Sequence, residues 1–275
     1  MLLIDENIRE MIFLKTEDEI ELLRQSNLLV GRTLAEVAKM IKPGVTTAQL
    51  DLIAEEFIRD HGAVPTFKGF PNPNGAPFPS TLCTSVNAQV IHGIPNNRPL
   101  QDGDILSVDC GVFMNGFCGD SAYTFCVGEV SDEVKQLLRV TKEALYLGIE
   151  NAVHGKRLGD IGYAVQHSCE SAGYGVVREF VGHGIGKEMH EDPQVPNYGR
   201  RGTGSLLKSG MCLAIEPMIT MGDRKIYLEN DGWTISTQDG KVAAHFEHTV
   251  AVRHGKADIL SSFEFIEEVL GDKVI

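Results

Sequence analysis

The chain has 275 residues, of which 43% are apolar and 23% charged, so it can bury a sizeable core and is not a disordered protein. Its net charge of −13 and isoelectric point near 5.1 argue against nucleic acid or an anionic membrane surface as the main partner. No stretch approaches the roughly 20 apolar residues of a membrane span. Asp5 and Glu6 stand where a secretory signal peptide would carry positively charged residues. The six cysteines include no C-x-x-C pair and no compact disulfide pattern, which indicates reduced thiols and a cytoplasmic protein.

The first predicted elements are two helices. Thr16 and Glu19 have the spacing of a capping box, and helical apolar spacing continues from there until residues 42–44, Lys-Pro-Gly. A second helix begins at about Thr47 and ends at residues 61–62, His-Gly. The next segment, 71–80 (PNPNGAPFPS), has four prolines in ten residues and predicts a rigid surface loop rather than a domain boundary.

A β-hairpin is predicted over residues 105–125. The pair Asn115-Gly116 is the preferred centre of a two-residue turn, since both positions tolerate positive φ. With this turn, the numbers of any two residues that pair across the hairpin sum to 231. Asp109 and Asp120 therefore become diagonal neighbours on one face of the hairpin. Two such carboxylates repel each other unless a cation lies between them, although one or both could instead face water at a strand end.

A second pair of helices resembles the first. Ser131 caps a helix that is expected to close at residues 154–155, His-Gly, and a shorter helix through residues 161–168 ends at Gly173. The glycines and apolar positions of the two pairs match at an offset of 111 residues, which suggests a degenerate internal repeat unless two helical hairpins match by chance.

The predicted class is therefore α+β, with two pseudo-symmetric halves of helices followed by strands in an antiparallel or mixed sheet. The domain organisation that follows is an N-terminal segment 1–15, one domain 16–252 with halves of about 16–125 and 127–252, and a C-terminal segment 253–275.

Further candidates for chemistry come from the second half. In residues 181–193 (VGHGIGKEMHEDP), three glycines allow a close backbone approach around His183, and His190 follows seven residues later. The spacing differs from the H-E-x-x-H of helical zinc proteases and fits one histidine on a metal and one on a substrate, although either histidine alone could be structural. Two further acidic residues, Glu216 and Glu247, lie in segments whose composition is typical of β-strands.

Together with Asp109 and Asp120, these glutamates and one histidine form an oxygen-rich ligand set that suits two divalent first-row ions. A cysteine site is the weaker alternative. On the predicted hairpin, Cys118 and Cys126 lie on the same face as the two aspartates, whereas Cys110 lies on the opposite face. No histidine stands at the spacing from these cysteines that a zinc finger requires.

Over about residues 14–252 the chain resembles the type I methionine aminopeptidases of the pita-bread fold. The motifs that carry the resemblance are SVNAQVIHGIP, SVDCG, GD, GHGIGKEMHEDP, IEPM and FEHT. Type II enzymes carry a long helical insertion, for which the 25 residues between His190 and Glu216 leave no room. The resemblance implies a site on the concave face of a curved mixed sheet.

The resemblance also implies roles for individual residues. The metal ligands would be Asp109, Asp120, His183, Glu216 and Glu247. Asp120 and Glu247 would bridge the ions, and His92 and His190 would contact the scissile peptide. Glu216, a ligand with a spare oxygen, is our candidate for carrying the proton of the water to the leaving nitrogen. The substrate-binding residues would be Phe67, Phe70, Cys83, His92, Met189, His190 and Trp233. Phe67, Phe70 and Met189 depart from the residues common in bacterial enzymes but keep an apolar wall.

The implied activity is removal of N-terminal methionine from newly made proteins with a small second residue, by attack of a metal-bridging hydroxide. Cobalt, manganese, iron and zinc all suit the ligands, and the sequence does not select one. The expected partners are protein N-termini and transiently the ribosome, without DNA or membrane, for a monomer. The Pro-rich loop would lie beside the pocket mouth and contact peptide residues beyond the scissile bond.

Two rival functions remain at this point. A sister enzyme that cleaves X-Pro bonds would keep the five ligands but usually carries a large extra N-terminal domain, whereas about 15 residues precede the first helix here. A binding module without catalysis would have lost ligands, and all five are present.

Overall fold

Residues 11–73 and 75–275 are described in a computed structural model of the chain, so the expectation built on Asp5 and Glu6 lies outside the described residues. Within the described part, no helix is long and apolar enough to cross a membrane.

The α-helices are α1 (Glu17–Met40), α2 (Thr47–Asp60), α3 (Asp132–Ile149), α4 (Leu158–Ser171) and α5 (Glu264–Leu270). The strands of the first half are β1 (Val64–Pro65), β2 (Leu82–Val86), β3 (Gln89–Ile91), β4 (Ile105–Met114) and β5 (Phe117–Cys126). The first strands of the second half are β6 (Gly175–Val176), β7 (Gly182–Gly184), β8 (Glu191–Val195), β9 (Cys212–Ile215) and β10 (Met218–Thr220). The last strands are β11 (Ile226–Leu228), β12 (Ile235–Thr237), β13 (Ala243–His245), β14 (His248–Ala251) and β15 (Asp258–Ile259).

The helix starts agree with the predicted positions. Both reciprocal bonds of the Thr16–Glu19 capping box are present at α1, and α2 begins after a second capping box at Thr46. The prediction that α3 extends to His154 was wrong, because the helix ends at Ile149. The side-chain amide of Asn151 donates to the carbonyl of Leu147 over 2.7 Å, which satisfies a terminal carbonyl as the chain turns away.

The helical repeat is present in the structure. Helices α2 and α4 each have 14 residues and are offset by 111 positions, and the short strands β1 and β6 that follow them share this offset. Gly44 and Gly155, at matching positions before these helices, have φ values of 92° and 90°. The exact limits of the two halves remain a prediction.

Every pairing between these strands is antiparallel. Strand β4 lies at the centre of the first-half sheet, between β1, β2 and β5, and strands β15-β14-β9-β7-β8 form the largest sheet of the second half. Helices and strands therefore form the predicted α+β fold, with the strands that carry the candidate ligands in the interior of both halves.

The β4–β5 hairpin has the predicted register. Met114 pairs with Phe117, and the turn residues Asn115 and Gly116 have φ values of 54° and 85°, as a two-residue turn of this type requires. Asp109 pairs with Ala122 and Gly111 with Asp120, so the two aspartates lie diagonally on one face. The opposite face is apolar and packs into the main core under the helices.

A matching arrangement occurs in the second half. Strands β9 and β14 pair Ile215 with His248, and β10 and β13 pair Met218 with His245. The paired residue numbers have the same sum in both ladders, so one ladder continues the other in register. Glu216 and Glu247 lie in the short gaps between the paired strands and therefore stand opposite each other. Each half therefore contributes two acidic residues from neighbouring strands.

Candidate metal centre and substrate cleft

The predicted ligands from both halves meet in the interior. Ligand atoms of Asp120, His183 and Glu247 all lie within 4.8 Å of one another. Nε2 of His183 is 3.7 Å from Oδ2 of Asp120 and 3.6 Å from Oε1 of Glu216. Asp109 joins the group because it lies diagonally to Asp120 on the same face of the β4–β5 hairpin.

Close backbone packing explains the glycines around His183. A Cβ atom at Gly182 would lie 2.3 Å from the carbonyl oxygen of Ala214, and one at Gly184 would lie 2.2 Å from that of Asp192. Only glycine allows β7 to fit between β8 and β9 at these distances. The sequence thereby fixes the backbone that presents the imidazole to the carboxylates.

The tautomer of His183 follows from its hydrogen bond. Nδ1 lies 2.9 Å from the carbonyl oxygen of Gly184, which can only accept, so Nδ1 carries the proton and Nε2 presents its lone pair to the carboxylates. Burial lowers the pKa of His183 to about 3, so the ring is neutral near pH 7. This is the state in which histidine binds a metal ion.

The four carboxyl groups have strongly perturbed acidity. Burial raises the pKa of Asp109 to about 7. Burial, reinforced by the neighbouring carboxylates, raises the pKa values of Asp120, Glu216 and Glu247 well above their ordinary range. Within the cluster, the buried atoms Oδ1 of Asp109, Oδ1 of Asp120 and Oε1 of Glu247 have no hydrogen-bond partner. Divalent cations would pair these oxygens and offset the repulsion, so this donor set fits them.

Two further histidines lie beside the cluster. The rings of His183 and His190 have centroids 4.4 Å apart. His92 has a positive φ of 57° and contacts the ring of Phe180 edge-on, with centroids 5.6 Å apart. His92, His183, His190 and Glu216 all line one cleft of about 610 Å³, which connects the cluster with the surface.

The predicted pocket residues also come together. Phe67, Cys83 and Met189 are buried in one apolar cluster, against which Phe70 and Trp233 pack. The ring of Phe70 contacts that of His190 edge-on at 5.2 Å, and the rings of His92 and Trp233 are 6.4 Å apart. The structure thus places an apolar cluster next to both histidines.

The Pro-rich loop packs against this apolar cluster. Phe78 is only 3% exposed and contacts Trp233 edge-on at 5.2 Å, while the indole nitrogen of Trp233 donates to the carbonyl of Ala76 over 3.0 Å. Asn72 donates to the carbonyl of Gly232 over 3.1 Å. Part of the loop is therefore buried and supports the wall formed by Trp233.

His245 was not predicted from the sequence. Its Nε2 atom lies 3.7 Å from Oε2 of Glu216, the side chain is 2% exposed, and burial lowers its pKa to about 3. His245 stands two residues before Glu247 in the segment AAHFEHT, and residues two apart in a strand share a face. That alternation could have revealed it. Met11 and Phe13 at the cleft rim were missed as well.

Comparison with known proteins agrees with this geometry. Residues 21–254 match the family described as metallopeptidase family M24. The chain is 52% identical over 255 residues to a protein named methionine aminopeptidase from Clostridium acetobutylicum, which covers 92% of this chain and all of that one. It is 49% identical over 251 residues to methionine aminopeptidase 1 of Bacillus subtilis, covering 91% of this chain and 99% of that one. The crystal structure of methionine aminopeptidase from Rickettsia prowazekii superposes with a TM-score of 0.88 at 42% identity, covering 92% of this chain and all of that one.

The fold is that of a pita-bread metallopeptidase, its interior holds a residue cluster that could bind a metal ion, and the chain belongs to metallopeptidase family M24. Within that family it belongs to the methionine aminopeptidases. Membership of this family implies dependence on divalent metal.

Proposed function

We propose that the chain removes N-terminal methionine from peptides and newly made proteins whose second residue is small, with two divalent ions bound per chain. The observation that carries this proposal is the adjacency of three features, two of which are joined by the ring contacts of His190 with Phe70 and of His92 with Trp233. These are the carboxylate–histidine cluster, the two non-ligand histidines, and the apolar cluster around Cys83 and Met189.

The residues that would hold the ions are Asp109, Asp120, His183, Glu216 and Glu247. When bound, the ions supply Lewis acidity that activates water and polarises the scissile carbonyl. Asp120 and Glu247 are the proposed bridging ligands, because ligand atoms of both lie within 4.8 Å of each other and of a ligand atom of His183. Each has one buried oxygen without a hydrogen-bond partner, which is free to bind a second ion.

Glu216 is suited to carry a proton. Burial and the neighbouring aspartates raise the pKa of Glu216 well above its ordinary range in the metal-free chain, and as a ligand its carboxylate has a second oxygen that can accept a proton. We assign to it the transfer of a proton from the attacking water to the leaving nitrogen. Nε2 of His245 lies 3.7 Å from Oε2 of Glu216, and we assign to His245 the role of holding this carboxyl group in position.

His190 is suited to stabilise developing negative charge. Burial lowers its pKa, so the ring is neutral and can donate one N–H to the oxygen of the peptide carbonyl. Its ring is held between those of His183 and Phe70, which limits its movement before substrate binds. His92 lines the same cleft and is the second histidine that contacts the scissile peptide.

Selection of methionine comes from the apolar cluster. Phe67, Cys83 and Met189 are almost fully buried, and Phe78 with Trp233 closes one side, which leaves a dry environment for an unbranched thioether side chain. A site this deep also favours a small second residue. We further propose that the protein acts in the cytoplasm as a monomer, which is consistent with its six unpaired cysteines.

The test is hydrolysis of Met-Ala-Ser, Met-Leu-Ser and Ala-Pro by chelated protein to which manganese, iron, cobalt or zinc is returned stepwise. We expect cleavage of Met-Ala-Ser only, with full activity at two ions per chain. Preferential cleavage of Ala-Pro would favour the X-Pro enzyme, and metal binding without any cleavage would favour a binding module.

A further inference from the structure

Two exposed apolar side chains lie at the rim of the catalytic cleft. Met11 is 66% exposed and Phe13 is 55% exposed, and both line the cleft that contains His92, His190 and Glu216. Such side chains gain little stability by burial in the isolated chain. Their continuity with the cleft points to contact with whatever enters it.

The segment that carries them is fixed in place. Lys15 forms an ion pair with Glu191, and the two side chains are only 6% and 8% exposed. The backbone N–H of Lys15 donates to the carbonyl of Gly210 over 2.8 Å, and its ammonium group donates to the carbonyl of Phe13 over 3.2 Å. The N–H of Met11 donates to the carboxylate of Asp192 over 2.9 Å.

These bonds join the segment to the loop that carries His190. Glu191 directly follows His190, and its carboxylate also accepts the N–H of Glu188. The distance between the apolar rim and His190 is therefore set by a buried ion pair. A fixed apolar surface of this kind binds a ligand at a lower entropic cost than a mobile one.

The charged groups along the cleft restrict what it accepts. Glu179, Glu188 and Asp192 line it, and no lysine or arginine among the described residues does so. An extended peptide covers about 3.3 Å per residue, so side chains beyond the second residue reach the rim while the first lies in the pocket. Acidic side chains would be repelled there and apolar ones would find Met11 and Phe13.

We infer that Met11 and Phe13 form a binding surface for the third and fourth residues of the substrate peptide, one that favours apolar side chains and disfavours acidic ones. This inference rests on the proposed aminopeptidase function and adds a determinant of substrate choice to it.

The kinetic test compares Met-Ala with Met-Ala-Phe-Leu in the double variant Met11→Ser/Phe13→Ser. We expect kcat/KM for the tetrapeptide to fall about tenfold through KM, because burial of two partly exposed side chains is lost, while the dipeptide is unaffected. The matched control is Leu14→Ser, since Leu14 is 51% exposed in the same segment but does not line the cleft. Equal effects on both peptides, or none on the tetrapeptide, would overturn the inference.

A second measurement needs no turnover. The peptide Met-Ala-Bpa-Leu, with photoreactive benzoylphenylalanine as third residue, is irradiated with the full-length metal-free protein and the adducts are mapped by mass spectrometry. Adducts on Met11 or Phe13 support the inference, and adducts confined to other segments, such as 72–79, overturn it. Failure of the unmodified chain to cleave either test peptide after metal return would refute the proposed function instead, and the adducts would still decide where the peptide lies.

Discussion

Nε2 of His245 lies 3.7 Å from Oε2 of Glu216, and His245 is only 2% exposed. Its Nε2 atom has no hydrogen-bond partner among the described residues, and its pKa near 3 keeps the ring neutral. The neutral imidazole therefore contacts the carboxyl group of Glu216, which is proposed to carry the proton, but it does not form an ion pair with that group.

His245→Leu is expected to lower kcat about tenfold or more, because the orientation of Glu216 is lost, and to change KM little. The control is His245→Gln, which keeps a polar group of similar length and should retain most of the turnover. Steady-state kinetics with metal content measured in parallel checks this. A His245→Leu variant with unchanged kcat would show that the contact has no role in positioning Glu216.

Asp120→Asn and Glu247→Gln should each abolish activity and reduce bound metal, because each removes a bridging charge from the cluster. Asp51→Asn is a control for loss of a buried carboxylate, since Asp51 accepts the N–H groups of Thr81 and Leu82 at the start of β2 and is not among the proposed ligands. Elemental analysis and turnover are measured together. Near-normal turnover with two ions in either bridging variant would contradict the ligand assignment.

His190→Ala should lower kcat by about 10²-fold, the range for loss of one oxyanion donor, with metal content intact. The ring of His190 lies against that of His183 but is assigned no metal, so elemental analysis separates the two roles. Loss of metal in this variant would make His190 a ligand and would require a new role for His183.

Metal affinity should fall as the pH is lowered from about 8 to about 6, because the ions must displace protons from the carboxyl groups. The pKa of Asp109 is raised to about 7 by burial, so its carboxyl group becomes increasingly protonated over this interval. His183, with a pKa near 3, stays neutral throughout and does not contribute. Calorimetric titrations in buffers of different ionisation enthalpy would measure the protons released, and a pH-independent affinity without proton release would contradict the expectation.

The sequence predicts one half of the site better than the other for a physical reason. The Asn115-Gly116 turn fixes the register of β4 and β5 locally, so the diagonal of Asp109 and Asp120 follows from a few neighbouring residues. The pairing of Glu216 with Glu247 depends on strands separated by β11 and β12, and no local turn encodes it. For Glu216 and Glu247, only the family motifs identified the ligands from the sequence.

The surroundings of the site were harder to predict than its ligands. Prolines around Phe78 indicate a rigid loop but not which partner the ring packs against, and Met11 and Phe13 are exposed and carry no periodic pattern. Contacts of this kind are made between distant segments and are fixed only when both halves have folded.

Phe78→Ala should both destabilise the protein and weaken selection of methionine. Phe78 is 3% exposed and supports Trp233, so truncation leaves a cavity behind the pocket wall and should lower the free energy of unfolding by about 3 kcal/mol. The KM for Met-Ala-Ser should rise because the wall relaxes into that cavity. Phe265→Ala on α5 is the control, because it truncates a partly buried ring remote from the cleft and should leave the KM for Met-Ala-Ser unchanged. A KM for Met-Ala-Ser that is unchanged in Phe78→Ala, with an effect confined to longer peptides, would instead favour a loop that only contacts residues beyond the scissile bond.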